Sequence, residues 1–381
     1  MSLSDSLSAI DTLQVFMGDK EVGTLAATQD GLAAFQYSSQ WIEEGYAISP
    51  FSLPLEKRVF IADPYPLDGL FGVFDDSLPD GWGRLLVDRM LGEHGINPND
   101  IGFLARLSIV GDSGSGALEY RPAVRSLTDS ALSDLDAIAD ECAAVLASQD
   151  VCDLDALFSM GGSSGGARPK VFYEIDGEEW IVKFPSSIDP SNIGEKEYNL
   201  ALAASKCGVC MAEARLLPSS RRGGYFATKR FDRERVGSEP VRKIHMASVA
   251  ALLETSHRIP NLDYETLLRL TLRLTGNACE VERMYRLMVF NVLCGNRDDH
   301  SKNFSFLCDE RGRWRLSPAY DITTCSGMNG EHAMTVNGRG KGITDDDMLT
   351  VAKEAGISTS KAVEAIEQTR DELAGLGIYE R

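Results

Sequence analysis

Between the apolar run Val289-Phe-Asn-Val-Leu-Cys294 and the apolar run Phe304-Ser-Phe-Leu307, the chain reads Gly295-Asn-Arg-Asp-Asp-His-Ser-Lys-Asn303. Two carboxylates, an imidazole, an ammonium and an amide therefore stand between two segments that have to be buried. Taking such groups out of water is costly unless they meet partners. A fold that accepts this sequence must gather them at the edge of a core and give them work there. Asp298 and Asn303 are five residues apart, the separation of base and metal-binding amide in the loop where kinases carry out phosphoryl transfer. Asp321 follows eighteen residues after Asn303, just past a strand pattern at Trp314 to Leu316, as a second metal-binding carboxylate should.

Phosphoryl transfer needs little covalent help from a protein. It needs positioned phosphates, metal ions held by oxygen ligands and a base at the acceptor hydroxyl. The stretch Met160-Gly-Gly-Ser-Ser-Gly-Gly-Ala-Arg-Pro-Lys170 supplies small residues whose backbone N–H groups can approach phosphate oxygens. It lacks the Gly-Lys-[Ser/Thr] ending of a Walker A loop, so an ordinary P-loop NTPase is not indicated. Lys183 sits on the otherwise apolar strand Trp180-Ile-Val-Lys183, and the following helical segment offers Glu195 or Glu197 as its ion partner. Such a pair holds the strand lysine on the phosphates in kinases.

The order of elements agrees. Residues 12 to 28 alternate around Gly18-Asp19-Lys20 as a β-hairpin, with further strands near Phe35 to Tyr37 and Arg58 to Ile61. A helix with Leu85, Leu86, Val87, Met90 and Leu91 on its apolar face follows Asp80-Gly81-Trp82-Gly83. Residues 1–125 read as a small α+β unit and 126–155 as a helical linker, with a helix over Leu132 to Leu146. Strands at Val171 to Ile175, Glu179 to Phe184, Arg215 to Leu217 and Tyr225 to Lys229, with a helix over Ile193 to Lys206, make 156–232 a strand-rich lobe. From Met246 the pattern turns helical, so 233–381 reads as a helical lobe. The fold class expected is α+β: a bilobed, protein-kinase-like fold preceded by a small α+β domain.

The chain carries 57 acidic and 38 basic residues, a formal net charge of −19. A sequence-blind grip on DNA or anionic lipid needs a surplus of Lys and Arg, so neither is expected as a direct partner. The N-terminus has no basic and apolar leader, and no run nears the ~20 apolar residues that span a bilayer. Eight scattered cysteines suit a reducing compartment. Cys207-Gly-Val-Cys210 has no second metal half-site, and reads as two half-buried thiols. A cytoplasmic protein is expected.

The motifs Gly165-Gly-Ala-Arg-Pro-Lys170, Asp298-Asp-His-Ser-Lys-Asn303-Phe-Ser and Pro318-Ala-Tyr-Asp321 resemble the HipA-like serine/threonine kinases of bacterial toxin–antitoxin systems. Val15-Phe-Met-Gly-Asp-Lys20, Gly23-Thr-Leu25 and Ser77-Leu-Pro-Asp-Gly-Trp-Gly83 resemble that family's N-terminal domain. The resemblance implies ATP and Mg²⁺ as cofactors, with Asp298 as proton acceptor and Asn303 and Asp321 as metal ligands. It implies Lys183 on the phosphates with Glu197 as its partner. Gly165, Gly166, Ala167, Arg168, Pro169 and Lys170, the hinge Lys229, Arg230 and Phe231, then His300, Ser301, Lys302, Asn303, Tyr320 and Asp321 would complete the ATP site. It further implies autophosphorylation of Ser163 or Ser164, a protein substrate modified on serine or threonine, and a small helix-turn-helix antitoxin through which alone DNA would be approached. A small-molecule kinase of the same fold and an ATP-binding pseudokinase acting as co-repressor are the alternatives.

Overall fold

The structure is a computed structural model that describes residues 3–124, 134–149, 151, 154–162, 165–235, 237 and 241–378. The hairpin forms as expected: Thr12–Met17 pairs antiparallel with Lys20–Ala27, with Met17 opposite Lys20. It is the middle of a five-stranded antiparallel sheet in the order Val59–Ile61, Ala33–Tyr37, Lys20–Ala27, Thr12–Met17, Leu118–Arg121. The inward alternation of Leu13, Val15, Val22, Leu25 and Phe35 buries one face against Phe71, Phe74 and Leu107.

Helix Gly81–Glu93 ties this unit to the next. Its Val87, Met90 and Leu91 pack with Leu7, Ala105 and Ile109 of the first unit. Its Trp82 and Leu86 join Leu157, Val171, Trp180 and Val182 of the second. A helix with two apolar faces serves two cores, which a division at residue 125 does not express. Helix Leu135–Leu146 begins where the Asp134 carboxylate accepts from the Asp136 N–H. The expected start at Leu132 lies outside the described residues.

The strand-rich lobe is a four-stranded antiparallel sheet ordered Lys170–Ile175, Glu178–Lys183, Tyr225–Lys229, Ala214–Leu217. Its first hairpin closes on Asp176-Gly177, both at positive φ (55° and 76°), the backbone that a two-residue type I′ connection requires. Helix Ile193–Lys206 crosses the sheet with Glu197, Leu200, Ala201 and Ala204 on its buried face. The helical lobe is built on Tyr264–Thr275, Ala278–Cys294, Asp345–Glu354 and Thr359–Gly375. Its core holds Tyr264, Met284, Met288, Phe290 and Phe306.

One element departs from the sequence reading. His245–Ser248, placed at the start of the helical part, is a strand paired antiparallel with Ser305–Cys308, which in turn pairs with Trp314–Leu316. Its four residues carry too little alternation to show on their own, and the partner strand lies about sixty residues away. Among the described residues no helix is long and apolar enough to cross a membrane.

Candidate active site

Helix Ala278–Cys294 ends on Gly295, which takes the left-handed C-cap conformation (φ 71°) and turns the chain into the polar loop. The next element is the short 3₁₀ turn Ser301–Asn303. Asp299 is fully buried: Oδ2 accepts from Tyr264 Oη–H (2.8 Å) and lies 3.0 Å from His332 Nδ1, while Oδ1 accepts from the Ala333 N–H (2.9 Å). Asn291 and Asn296 extend this network beneath the loop, with Asn296 Nδ2 donating to Asn291 Oδ1 at 3.0 Å. Asp298, by contrast, presents its carboxylate outward, 62% exposed, with His300 Nε2 3.8 Å away. Asn303 Nδ2 donates to the Asp298 carbonyl (2.7 Å), so the two ends of the five-residue interval touch.

Asp321 follows the strand Trp314–Leu316 at φ 53°, the left-handed region that aspartate tolerates better than most residues. Its Oδ1 accepts from Lys183 Nζ, and the same ammonium lies 3.1 Å from Glu197 Oε2. Of the two glutamates left open by the sequence, Glu197 is buried on the lysine and Glu195 is exposed. Burial would discharge Lys183, but Asp321 and Glu197 outweigh it and hold the amine above its ordinary value. Burial likewise opposes ionisation of Asp321. Lys183 and Lys170 overcome it and hold the carboxyl well below the usual range.

The glycine loop adds two more cations. Arg168 pairs with Glu197 and, at 3.0 Å, with Asp189, whose Oδ2 accepts from the Ser186 N–H and hydroxyl. Lys170 is buried, and burial together with Lys183 lowers its value. Asp298 is raised above the ordinary carboxylate, first by partial burial and then by Asp321 and Asp299, against His300.

The remaining expected positions are distributed as follows. Tyr320 Oη donates to the Lys302 carbonyl (2.7 Å), and its ring lies 5.4 Å from that of Phe231. The N–H groups of Lys229 and Arg230 are already given to the carbonyls of Glu213 (2.8 Å) and Glu179 (2.9 Å). The Arg230 side chain is buried on Asp232 and on the Gly114 carbonyl of the N-terminal unit, so it does not face the cleft. Lys302 pairs with Asp75 (3.1 Å) and Asp80 (3.5 Å), also of that unit. Ser301 is buried in the 3₁₀ turn, and the His300 ring lies 5.2 Å from that of His257, tilted by 50°. Gly165, Gly166, Ala167 and Pro169 form the loop in front of the strand Lys170–Ile175. Ser163 and Ser164 lie outside the described residues. Asp75, Asp80, Asp189 and His257 were not anticipated, because nothing in their local sequence ties them to residues so distant. Only the quoted run Ser77 to Gly83 pointed to that region.

The chemistry of the donor set fits a magnesium nucleotide. Mg²⁺ prefers one or two carboxylates together with substrate phosphates to an all-protein cage. Asp321 and Asn303 offer hard oxygen, while Lys183, Lys170 and Arg168 supply the positive charge that a polyphosphate needs.

A family model for the HipA-like C-terminal domain matches residues 162–375, and one for the HipA N-terminal domain matches 13–121. The chain belongs to the HipA-like family. Two curated relatives, both from Sinorhizobium fredii, are named "Putative kinase Y4mE" and "Putative kinase Y4dM". The first is 28% identical over 91% of this chain and 86% of its own, the second 26% identical over 94% and 90%. A solved complex of HipA, HipB and operator DNA of a Shewanella oneidensis toxin–antitoxin system superposes through one chain with a TM-score of 0.70 at 18% identity. The match spans 97% of this chain and 92% of that one. It shows the same fold: a kinase-like bilobed body behind an N-terminal domain.

Proposed function

We propose that the chain is a kinase that transfers the γ-phosphoryl group of ATP, with Mg²⁺, to serine or threonine hydroxyls of a protein. The observation that carries this reading is the buried Lys183 ammonium, shared between Glu197 on the crossing helix and Asp321 beyond the polar loop, 138 residues further on. A structural ion pair would need one carboxylate; two, with Lys170 and Arg168 alongside, make a charged cleft suited to a polyphosphate. Lys183 would grip the phosphates, and Asn303 and Asp321 would hold the metal, which supplies charge neutralisation when bound. Asp298, exposed and with its pKa raised, would accept the proton of the incoming hydroxyl. Arg168 and Lys170 would add charge at the loop. The paired rings of Phe231 and Tyr320 would flank the base.

Ser163 or Ser164 is proposed as an autophosphorylation site, since a phosphate there adds about two negative charges beside the cleft and competes with those of the nucleotide. Membership of the HipA-like family supports a role as the toxin of a toxin–antitoxin pair, held by a small helix-turn-helix antitoxin that would bring this acidic chain to DNA. Phosphoproteomics of a lysate treated with the purified chain and Mg·ATP tests the substrate class. New phosphoserine or phosphothreonine sites that vanish with Asp298→Asn are expected. Label appearing only in small molecules would sink the protein-kinase reading.

A further inference from the structure

The run Ser77-Leu-Pro-Asp-Gly-Trp-Gly83 belongs to the N-terminal unit, yet its middle lies on the glycine loop. Asp80 occupies the N-cap position of helix Gly81–Glu93, where an aspartate ordinarily accepts a hydrogen bond from its own first turn. It makes no such bond. Its Oδ1 instead accepts from the Gly166 N–H, and its Oδ2 lies 3.5 Å from Lys302 Nζ. One carboxylate thus touches both segments that build the site. The next two residues close the junction. The Trp82 N–H donates to the Gly166 carbonyl (2.8 Å), and Trp82 Nε1–H to the Lys170 carbonyl (3.0 Å). Gly81 stands at φ 45°, and a Cβ there would run into the Gly166 carbonyl, so only glycine lets the two backbones approach this closely. Burial opposes ionisation of Asp80, but Lys302 and the Gly166 N–H outweigh it and keep the carboxyl below its ordinary value.

We infer that Asp80 is a positioning residue for nucleotide binding, through which the N-terminal unit fixes the 165–170 arm of the glycine loop against the polar loop. The inference rests on the ATP reading above. Lys302 retains Asp75 at 3.1 Å when Asp80 is removed, so the loss falls chiefly on the glycine loop. An unanchored loop has to be ordered at the moment of binding, which weakens affinity without removing any group that touches the nucleotide.

The test uses the full chain, Asp80→Ser and Asp80→Asn. Serine restores an ordinary helix cap but is too short to reach Gly166; asparagine keeps an oxygen at that reach. Two quantities are measured: the Kd for a fluorescent ATP analogue with Mg²⁺, and amide hydrogen exchange of the peptide spanning 165–170. With Asp80→Ser we expect Kd to rise about tenfold or more, the scale of one charge-assisted hydrogen bond, and exchange in 165–170 to quicken. Asparagine should stay within about threefold of wild type. Serine-variant binding within about twofold of wild type, or asparagine as impaired as serine, overturns the inference. A wild-type chain that binds no analogue overturns instead the ATP reading beneath it, while the exchange measurement still reports whether Asp80 anchors the loop.

Discussion

Asp298 and Asp299 are adjacent carboxylates with opposite fates, and the spacing to Asn303 separated them before any coordinates did. What spacing could not show was how deeply Asp299 is committed. It is fully buried on Tyr264, His332 and the Ala333 N–H, three partners from distant segments. Removing it strands two buried polar groups, the Tyr264 hydroxyl and the His332 imidazole, and the part-buried Ala333 N–H, at roughly 1–3 kcal/mol for each buried group. Asp299→Ala is therefore expected to cost about 3–5 kcal/mol and to lower Tm by about 4–6 °C, read by thermal and urea unfolding. Asp298→Asn, on an outward-facing side chain, should leave Tm within about 2 °C. Equal losses at the two positions would contradict the division of labour.

Elements with a strong internal period were legible. Helix Ile193–Lys206 and strand Tyr225–Lys229 fall on the residues expected, because each carries its own pattern. Strand His245–Ser248 was not legible, since its identity is conferred by pairing with Ser305–Cys308. That strand also carries a pH dependence. His245 is buried, 2.8 Å from the Ile48 carbonyl through Nε2, and burial brings it down to about 4. Below about pH 6.5, the ordinary histidine value, the unfolded chain takes up a proton that the folded chain refuses until about pH 4. This contribution to stability is complete above pH 6.5 and declines as pH falls through that window. Across it His245 accounts for up to about 3 kcal/mol. His257 is lowered in the same sense, so His245→Gln should remove part of the slope in urea midpoint against pH. A slope unchanged by the substitution would show that His245 is not buried in its neutral form.

At the scale of the molecule, the sequence supplied the order of the parts but not how they are joined. Arg230 and Arg233 converge on Asp232, and all three are buried. The two guanidinium groups donate to the Gly114 carbonyl at 3.1 and 2.9 Å, and the Gly116 N–H donates to Asp232 Oδ2 at 2.7 Å. Burial opposes ionisation of Asp232, but its two arginines pull it down to about 2. The partners lie more than a hundred residues apart, and no periodicity links them. The Arg230 side chain, on the segment that the resemblance places under the adenine, thus ties the two units together. Asp232→Ala leaves the two buried arginines only the half-exposed Glu179 carboxylate, at 3.3 and 3.4 Å, and should cost about 3 kcal/mol. Urea unfolding followed by two probes, one in each unit, is expected to lose coincidence in this variant and to keep it in wild type.

These joints matter because they set the frame in which one exposed carboxylate can act as a base. Phosphoryl transfer from labelled Mg·ATP by the purified chain, compared between wild type and Asp298→Asn, tests that most directly. General-base catalysis contributes about 10²–10⁴-fold, so the asparagine variant should bind the nucleotide normally and transfer phosphate at least about a hundredfold more slowly. Transfer at the wild-type rate would contradict the account at its centre.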